Sequence, residues 1–136
     1  MKFFICNNCS KHIPISYGSF NKYCSSKCDQ EFRFKIRYNL WIKNELIVPD
    51  SYGARALKRL VSFRDGYKCS ECSLSEWRGK KLSLELEHKD GNHQNNEPEN
   101  VCLLCPNCHS QTPTFRGKNK GKGRSYFRNR FHKNKN

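Results

Sequence analysis

The stretch Ser83–His109, SLELEHKDGNHQNNEPENVCLLCPNCH, decides the fold. Leu82, Leu84 and Leu86 alternate with Ser83, Glu85 and Glu87, the two-residue period of a half-buried strand. That strand carries Glu87 and ends at His88. Asp90-Gly91 then opens a polar loop, and Val101–Leu104 reads as an apolar return strand. Pro106 suits a first helical turn, so a short helix is expected there, with His109 early in it. The order strand, loop, strand, helix brings Glu87 and His109 together across a shallow hairpin. Glu87 and His88 are neighbours on an extended strand, so their side chains leave opposite faces.

Cysteines frame this stretch. Cys69-x-x-Cys72 and Cys105-x-x-Cys108 are 32 residues apart, and two such close pairs make a four-thiolate zinc site. Cys102 and Cys105 share the same spacing. Pro106-Asn107 favours a tight turn inside the later pair, however, whereas Leu103-Leu104 reads as strand interior. Cys102 is therefore expected to be a buried free thiol. A structural zinc supplies on the order of 10 kcal/mol or more of folding free energy.

The N-terminal part repeats the theme. Cys6-x-x-Cys9, fourteen residues, then Cys24-x-x-x-Cys28 predicts a second four-thiolate zinc site, a small finger around a loop with Pro14 and Gly18. Lys11, Lys22 and Lys27 lie nearby and lean the finger toward DNA contact, with stability alone as the other role. Between the cysteine zones, Phe32 to Ile42 fits both a strand alternation and a helical stripe through Phe34, Tyr38, Trp41, Ile42 and Leu46. The absence of Gly and Pro over that length favours helix, ended by Pro49. A second helix is expected from about Ser51 through Leu57, Leu60 and Val61 to Gly66, and its Arg55, Lys58, Arg59 and Arg64 are candidates to face phosphates.

Composition narrows the class. Among 136 residues, 35% are hydrophobic and nine are cysteines, so a small core needs metal staples. A net charge of +14 points to a polyanionic partner. The segment from Arg116 carries nine Lys or Arg and no acid. Within it Arg116, Lys118, Lys120, Lys122 and Arg124 are the expected DNA contacts, and Tyr126, Phe127 and Phe131 are free to stack on bases. No apolar run reaches signal-peptide length or the roughly 18 residues that span a bilayer. An intracellular, cytoplasmic location with reduced thiols and no membrane partner is the expectation. Four zones follow: a zinc finger at 1–29, a helical connector at 30–65, a cysteine-framed core with Glu87, His88, Asn100 and His109 at 66–115, and a basic tail at 116–136.

Glu87-His88, Glu99-Asn100 and Cys108-His109 resemble the three parts of the HNH endonuclease motif. More narrowly, HxDGNxxxN from His88, LLCPNCHSQT from Leu103 and NKGKGR from Asn119 resemble the small HNH enzymes carried by phages and mobile elements. The resemblance implies a small α+β, zinc-stapled protein with a ββα-metal core, joined by helices to the N-terminal finger. It implies His88 as the general base, Asn100 as a brace for the loop that orients His88, and Glu87 with His109 as ligands of one catalytic divalent cation. That cation would be Mg2+, with Mn2+ or Ni2+ as alternatives, beside two structural Zn2+. Glu departs from the more usual Asp or His at the first ligand position. Asp90 and Thr112 are candidates for a further ligand. The implied reaction is hydrolysis of double-stranded DNA to 3′-hydroxyl and 5′-phosphate ends. One site per chain favours nicking by a monomer, although the sequence leaves oligomeric state open. An inert zinc-finger DNA-binding protein on the same scaffold, or an RNA-directed module, are the alternatives.

Overall fold

Turn chemistry and short apolar runs, rather than long periodic segments, build most of this chain. A computed structural model describes residues 2–15, 22–46, 48–49, 53–118 and 121. The chain forms two units, residues 1–46 and 47–136.

The first unit starts with an antiparallel hairpin, β1 (Phe3–Ile5) and β2 (His12–Pro14), in the register Phe4 opposite Ile13. Cys6 and Cys9 occupy its turn. Helix α1 (Ser26–Ile42) follows, with the Ser25 hydroxyl accepting from the Cys28 N–H at 3.2 Å. This is N-capping, and it places Cys28 in the first helical turn. The ambiguous stretch from Phe32 is therefore helical. Phe34 and Trp41, two turns apart, are its buried residues, while Ile36, Leu40 and Ile42 are exposed. A strand would have buried the alternating set instead. Asn8 ties the hairpin to α1, donating to Glu31 and accepting from Lys35, each at 2.9 Å.

The second unit begins its described helix α2 at Gly53–Asp65, so the expected start at Ser51 lies outside the described residues. Leu57, Leu60 and Val61 are its buried face. Gly66, at φ +80, closes it by donating its N–H to the Ser62 carbonyl at 3.0 Å; glycine takes this left-handed position without a side-chain clash. A two-strand ribbon, β3 (Glu76–Trp77) and β4 (Lys80–Lys81), turns on Arg78 and Gly79, both at positive φ. Strands β5 (Glu85–His88) and β6 (Val101–Leu104) then pair antiparallel, with Glu87 opposite Cys102 and His88 opposite Val101. Helix α3 (Pro106–Gln111) follows directly, and a 3-10 turn spans Arg116–Lys118.

Strand β5 is shorter than the alternation from Leu82 predicts. The Leu82 N–H bonds the Ser75 carbonyl at 2.9 Å and the Leu84 N–H bonds the Tyr67 hydroxyl at 3.4 Å, so neither donor enters the β6 ladder. All four β6 residues are buried, because α2 and α3 both pack on this strand.

Two of the basic α2 residues expected to face phosphates are turned inward. Lys58 donates to the Leu84 carbonyl at 2.8 Å. Arg64 donates to the carbonyls of Pro98 and Val101, the latter at 2.9 Å, and pairs with Asp65. Arg64 thus fixes the entry to β6 against the end of α2. Hydrogen bonds from charged groups are worth about 1.5–3 kcal/mol each when their partners are part-buried. Arg64→Ala should therefore lower unfolding free energy by roughly 2 kcal/mol or more in a denaturant titration. Arg33→Ala removes only the exposed pair with Asp29 and should cost less than about 1 kcal/mol.

Candidate metal centre and active site

The two cysteine knuckles share one backbone turn. In the first, the Cys6 N–H bonds the Lys11 carbonyl and the Ser10 N–H bonds the Cys6 carbonyl, both at 2.9 Å. In the second, the Cys69 N–H bonds the Leu74 carbonyl and the Ser73 N–H bonds the Cys69 carbonyl, again at 2.9 Å. Ser10 and Ser73 take positive φ at 59° and 61°. The repeated Cys-x-x-Cys-Ser string thus folds the same way twice.

Each knuckle faces a helix N-terminus that supplies two more sulfurs. Cys6, Cys9, Cys24 and Cys28 form one cluster, and Cys69, Cys72, Cys105 and Cys108 the other, with all sulfurs of a cluster within 4.8 Å of one another. Zinc–sulfur bonds of 2.3 Å at tetrahedral angles set sulfurs about 3.8 Å apart. The observed separations are 3.6 Å for Cys9–Cys24, 3.3 Å for Cys24–Cys28 and 3.8 Å for Cys72–Cys105. Sulfur chemistry and spacing both fit zinc. Cys102 stands apart as a buried thiol, its pKa raised by burial.

Ionisation within each cluster is uneven. Burial raises the thiols of Cys6 and Cys69, but backbone N–H groups, first those of Cys24 and Cys72 respectively, outweigh it and bring both down to about 6. Cys24 and Cys108 are pushed up to about 12, chiefly by hydrogen bonding to Cys28 and Cys105 respectively. Four neighbouring thiolates repel one another, and a divalent cation relieves that repulsion. Cys105 is also the N-cap of α3, its sulfur accepting from the Cys108 N–H at 3.5 Å.

One turn along α3, His109 meets the hairpin. Its Nε2 lies 2.9 Å from Glu87 Oε2, and its Nδ1 contacts Glu85 Oε2. Glu87 is only 6% exposed, and its second oxygen accepts from the Thr114 hydroxyl, whose oxygen lies 3.2 Å from Thr112 Oγ1. The His109 ring packs edge-on against Phe115 at 5.1 Å between centroids. A neutral imidazole carries one N–H, so it satisfies one carboxylate and leaves a lone pair toward the other. A proton or a cation between Nε2 and Glu87 resolves that conflict. The separation resembles the edge of about 3.0 Å between adjacent ligands in octahedral Mg2+ coordination with 2.1 Å bonds. The carboxylate oxygens suit Mg2+ or Mn2+, while the imidazole also admits Ni2+.

Glu85 and Thr114 were absent from the sequence-derived set. Glu85 was findable, since it lies two residues before Glu87 on the same strand face. It occupies the position of the carboxylate that commonly fixes a metal-binding histidine through its other nitrogen. Thr114 comes from beyond α3 and carries no sequence signal. Glu87, Thr112 and Thr114 line an open cavity of about 610 Å³ together with Arg64, Lys89 and Glu99.

His88 leaves the opposite face of β5, beside Leu57, Leu86 and His93. Its Nε2 is 2.8 Å from Asn96 Oδ1. Asn100 bonds within the loop. It accepts from the Asp90 N–H at 3.1 Å and donates to Asp90 Oδ1 at 2.9 Å and to the Asn95 carbonyl at 2.7 Å, closing the loop across its base. Asp90, Asn92 and Asn95 each accept from the backbone N–H two residues on, three successive Asx turns that account for the loop's composition. Asn95 Nδ2 donates to Asp90 Oδ2 at 2.9 Å, so both Asp90 oxygens are engaged within the loop, whereas Thr112 lies at the cavity with Glu87. Of the basic-tail residues, Arg116 stacks on Phe115 at 5.0 Å and Lys118 donates to the Ser110 carbonyl at 3.3 Å. Lys120, Lys122, Arg124, Tyr126, Phe127 and Phe131 lie outside the described residues.

A carboxylate and imidazole joined across a hairpin and helix, with a second histidine on the adjacent strand position, is the arrangement the HNH-like motif implied. A curated relative matches part of the chain. The H-N-H endonuclease F-TflIV of Escherichia phage T5 is 61% identical over 56 residues, 41% of this chain and 25% of that protein. The chain thus resembles a phage-type HNH endonuclease, while spanning about a quarter of that relative's length. No family model and no solved structure matches. No helix among the described residues is long and apolar enough to cross a membrane.

Two outcomes follow. Elemental analysis of purified protein should find two zinc ions per chain, falling to one in Cys105→Ala and staying at two in Cys102→Ala. Burial would raise the Asp90 carboxyl, but donors from Asn95, Asn92 and Asn100 and the nearby His88 hold it below the ordinary carboxylate value. Its contribution to the loop is full above the unfolded value of about 3.9 and is lost as pH falls through the lower folded value. Acid titration by NMR should show the Asn92 amide and Asn100 side-chain signals shifting below about pH 4, together.

Proposed function

We propose that this chain belongs to the HNH endonucleases and hydrolyses phosphodiester bonds of double-stranded DNA on a ββα-metal core formed by β5, β6 and α3. The observation that carries this reading is the Glu87–His109 pair, 2.9 Å between Oε2 and Nε2, in a chain 61% identical over 56 residues to a phage endonuclease. The net charge of +14 supports a nucleic-acid substrate.

Glu87 and His109 hold the divalent cation in this reading, and Glu85 keeps the His109 ring turned so that Nε2 faces Glu87. The bound cation supplies Lewis-acid neutralisation of charge at the scissile phosphate. His88 takes a proton from water, the resulting hydroxide attacks phosphorus, the bond to the 3′ oxygen breaks, and that oxygen takes a proton from solvent water. That leaves 3′-hydroxyl and 5′-phosphate ends. Asn100 keeps the loop closed behind His88. The two cysteine clusters hold structural zinc, and Arg116 with Lys118 begins a basic segment that draws in the DNA backbone.

Supercoiled plasmid tests the proposal. Native protein with Mg2+ or Mn2+ should give nicked circles, and EDTA should abolish them. His88→Ala should cut the rate by about 100-fold or more. Glu85→Gln should raise the metal concentration needed for half-maximal rate by about 10-fold. Salt-sensitive DNA binding without cleavage in any metal would instead favour an inert DNA-binding protein.

A further inference from the structure

Asn96 lies in the loop between β5 and β6, is 8% exposed, and sits at the centre of the Asx turn that the Asn95 side chain closes. Its side chain makes two bonds in opposite directions. Nδ2 donates to the Val48 carbonyl at 2.7 Å, and Oδ1 sits 2.8 Å from His88 Nε2. A backbone carbonyl only accepts, so the amide's NH2 end must face Val48. The oxygen end is then the one presented to His88. An amide oxygen only accepts as well, so the ring nitrogen facing it must carry the hydrogen.

We propose that Asn96 is a positioning residue that fixes His88 as the Nε2–H tautomer, so that Nδ1 is the atom taking the proton from water. Val48, just before α2, sets the amide, and the amide sets the ring. The tautomer of a histidine follows from the hydrogen bond made by its other nitrogen. In the step itself, one O–H bond of water breaks and an Nδ1–H bond forms, giving an imidazolium that still donates from Nε2 to Asn96. The bond to Asn96 is stronger once the ring is charged, so the amide stabilises the form that appears as water is deprotonated. Other titratable neighbours are His93, which lines the same small cavity, and Asp90, whose carboxylate feels the His88 charge. At His88 Nε2, where the tautomer is set, the partner is Asn96 Oδ1 at 2.8 Å. The catalytic meaning of this assignment rests on the nuclease reading; the tautomer does not.

Nitrogen-15 NMR of the zinc-loaded protein, without added Mg2+ or Mn2+, reads the two ring nitrogens of neutral His88 directly. The expected result is a protonated Nε2 and an unprotonated Nδ1. A protonated Nδ1, or averaged signals from both tautomers, overturns the proposal. Asn96→Ala, with its fold checked by the amide spectrum, should give averaged His88 signals and lower kcat on plasmid about tenfold at unchanged KM. Asn96→Gln should recover part of both if its longer amide still reaches the ring. A single Nε2–H tautomer that persists in Asn96→Ala also overturns the proposal. If His88 has the expected tautomer but neither native protein nor variant cleaves DNA, the nuclease reading fails while the assignment of Asn96 stands.

Discussion

The four sulfurs of Cys69, Cys72, Cys105 and Cys108 are the constraint on which the second unit depends. Cys105 sits at a corner, directly after β6 and at the N-cap of α3. A helix of six residues has no stability of its own, because nucleation is costly and only a few hydrogen bonds follow. Held at Cys105 and Cys108 by a metal, its first turn is fixed regardless of propensity. His109 is the next residue, so the sulfur cluster aims its ring at β5 within one residue of the last ligand. The opposite knuckle anchors the chain that enters β3 and β4 and leads into β5. Both partners of the Glu87–His109 pair thus hang from the same cluster by short, stiff paths.

The hairpin then divides the chemistry between its faces. Glu85 and Glu87 share one face with Cys102 and Leu104, and His88 shares the other with Leu86 and Val101. A buried carboxylate is costly unless bonded, and Glu87 meets that demand through His109 and Thr114. On the other face α2 supplies an apolar wall, with Asn96 and His93 as polar residues beside His88. The loop between the strands is rigid for a reason legible in its residues. Asp90, Asn92 and Asn95 bend the backbone through their own side chains, and Asn100 ties the two ends together.

Much of this was readable from sequence because metal knuckles and alternating strands leave local signatures. Both cysteine clusters follow from spacing, the β5–β6 hairpin from alternation and an apolar run, the helix start from Pro106, and the meeting of Glu87 with His109 from the order of those elements. The choice between strand and helix after Phe32 was decided by which residues could be buried together, and Phe34 with Trp41 chose the helical period. What the sequence hid depends on partners far along the chain. Arg64 looks like a surface cation until the carbonyls of Pro98 and Val101 appear beside it. Thr114 reaches Glu87 only because α3 ends at Gln111 and the chain turns back. Asn96 is one of many loop asparagines until Val48 orients it. The β3–β4 ribbon is too short, and its Arg-Gly turn too unusual, to stand out from loop.

The dependence of the site on the sulfur cluster is tested most directly by removing metal and watching the hairpin. Amide NMR spectra should be recorded for Glu85–His88 and Val101–Leu104 before chelation, after chelation, and after zinc is returned. The account predicts that these signals collapse to unstructured positions without zinc and return with it. Signals that keep their folded positions in metal-free protein would show that the hairpin and His109 are held by packing alone, and would contradict it.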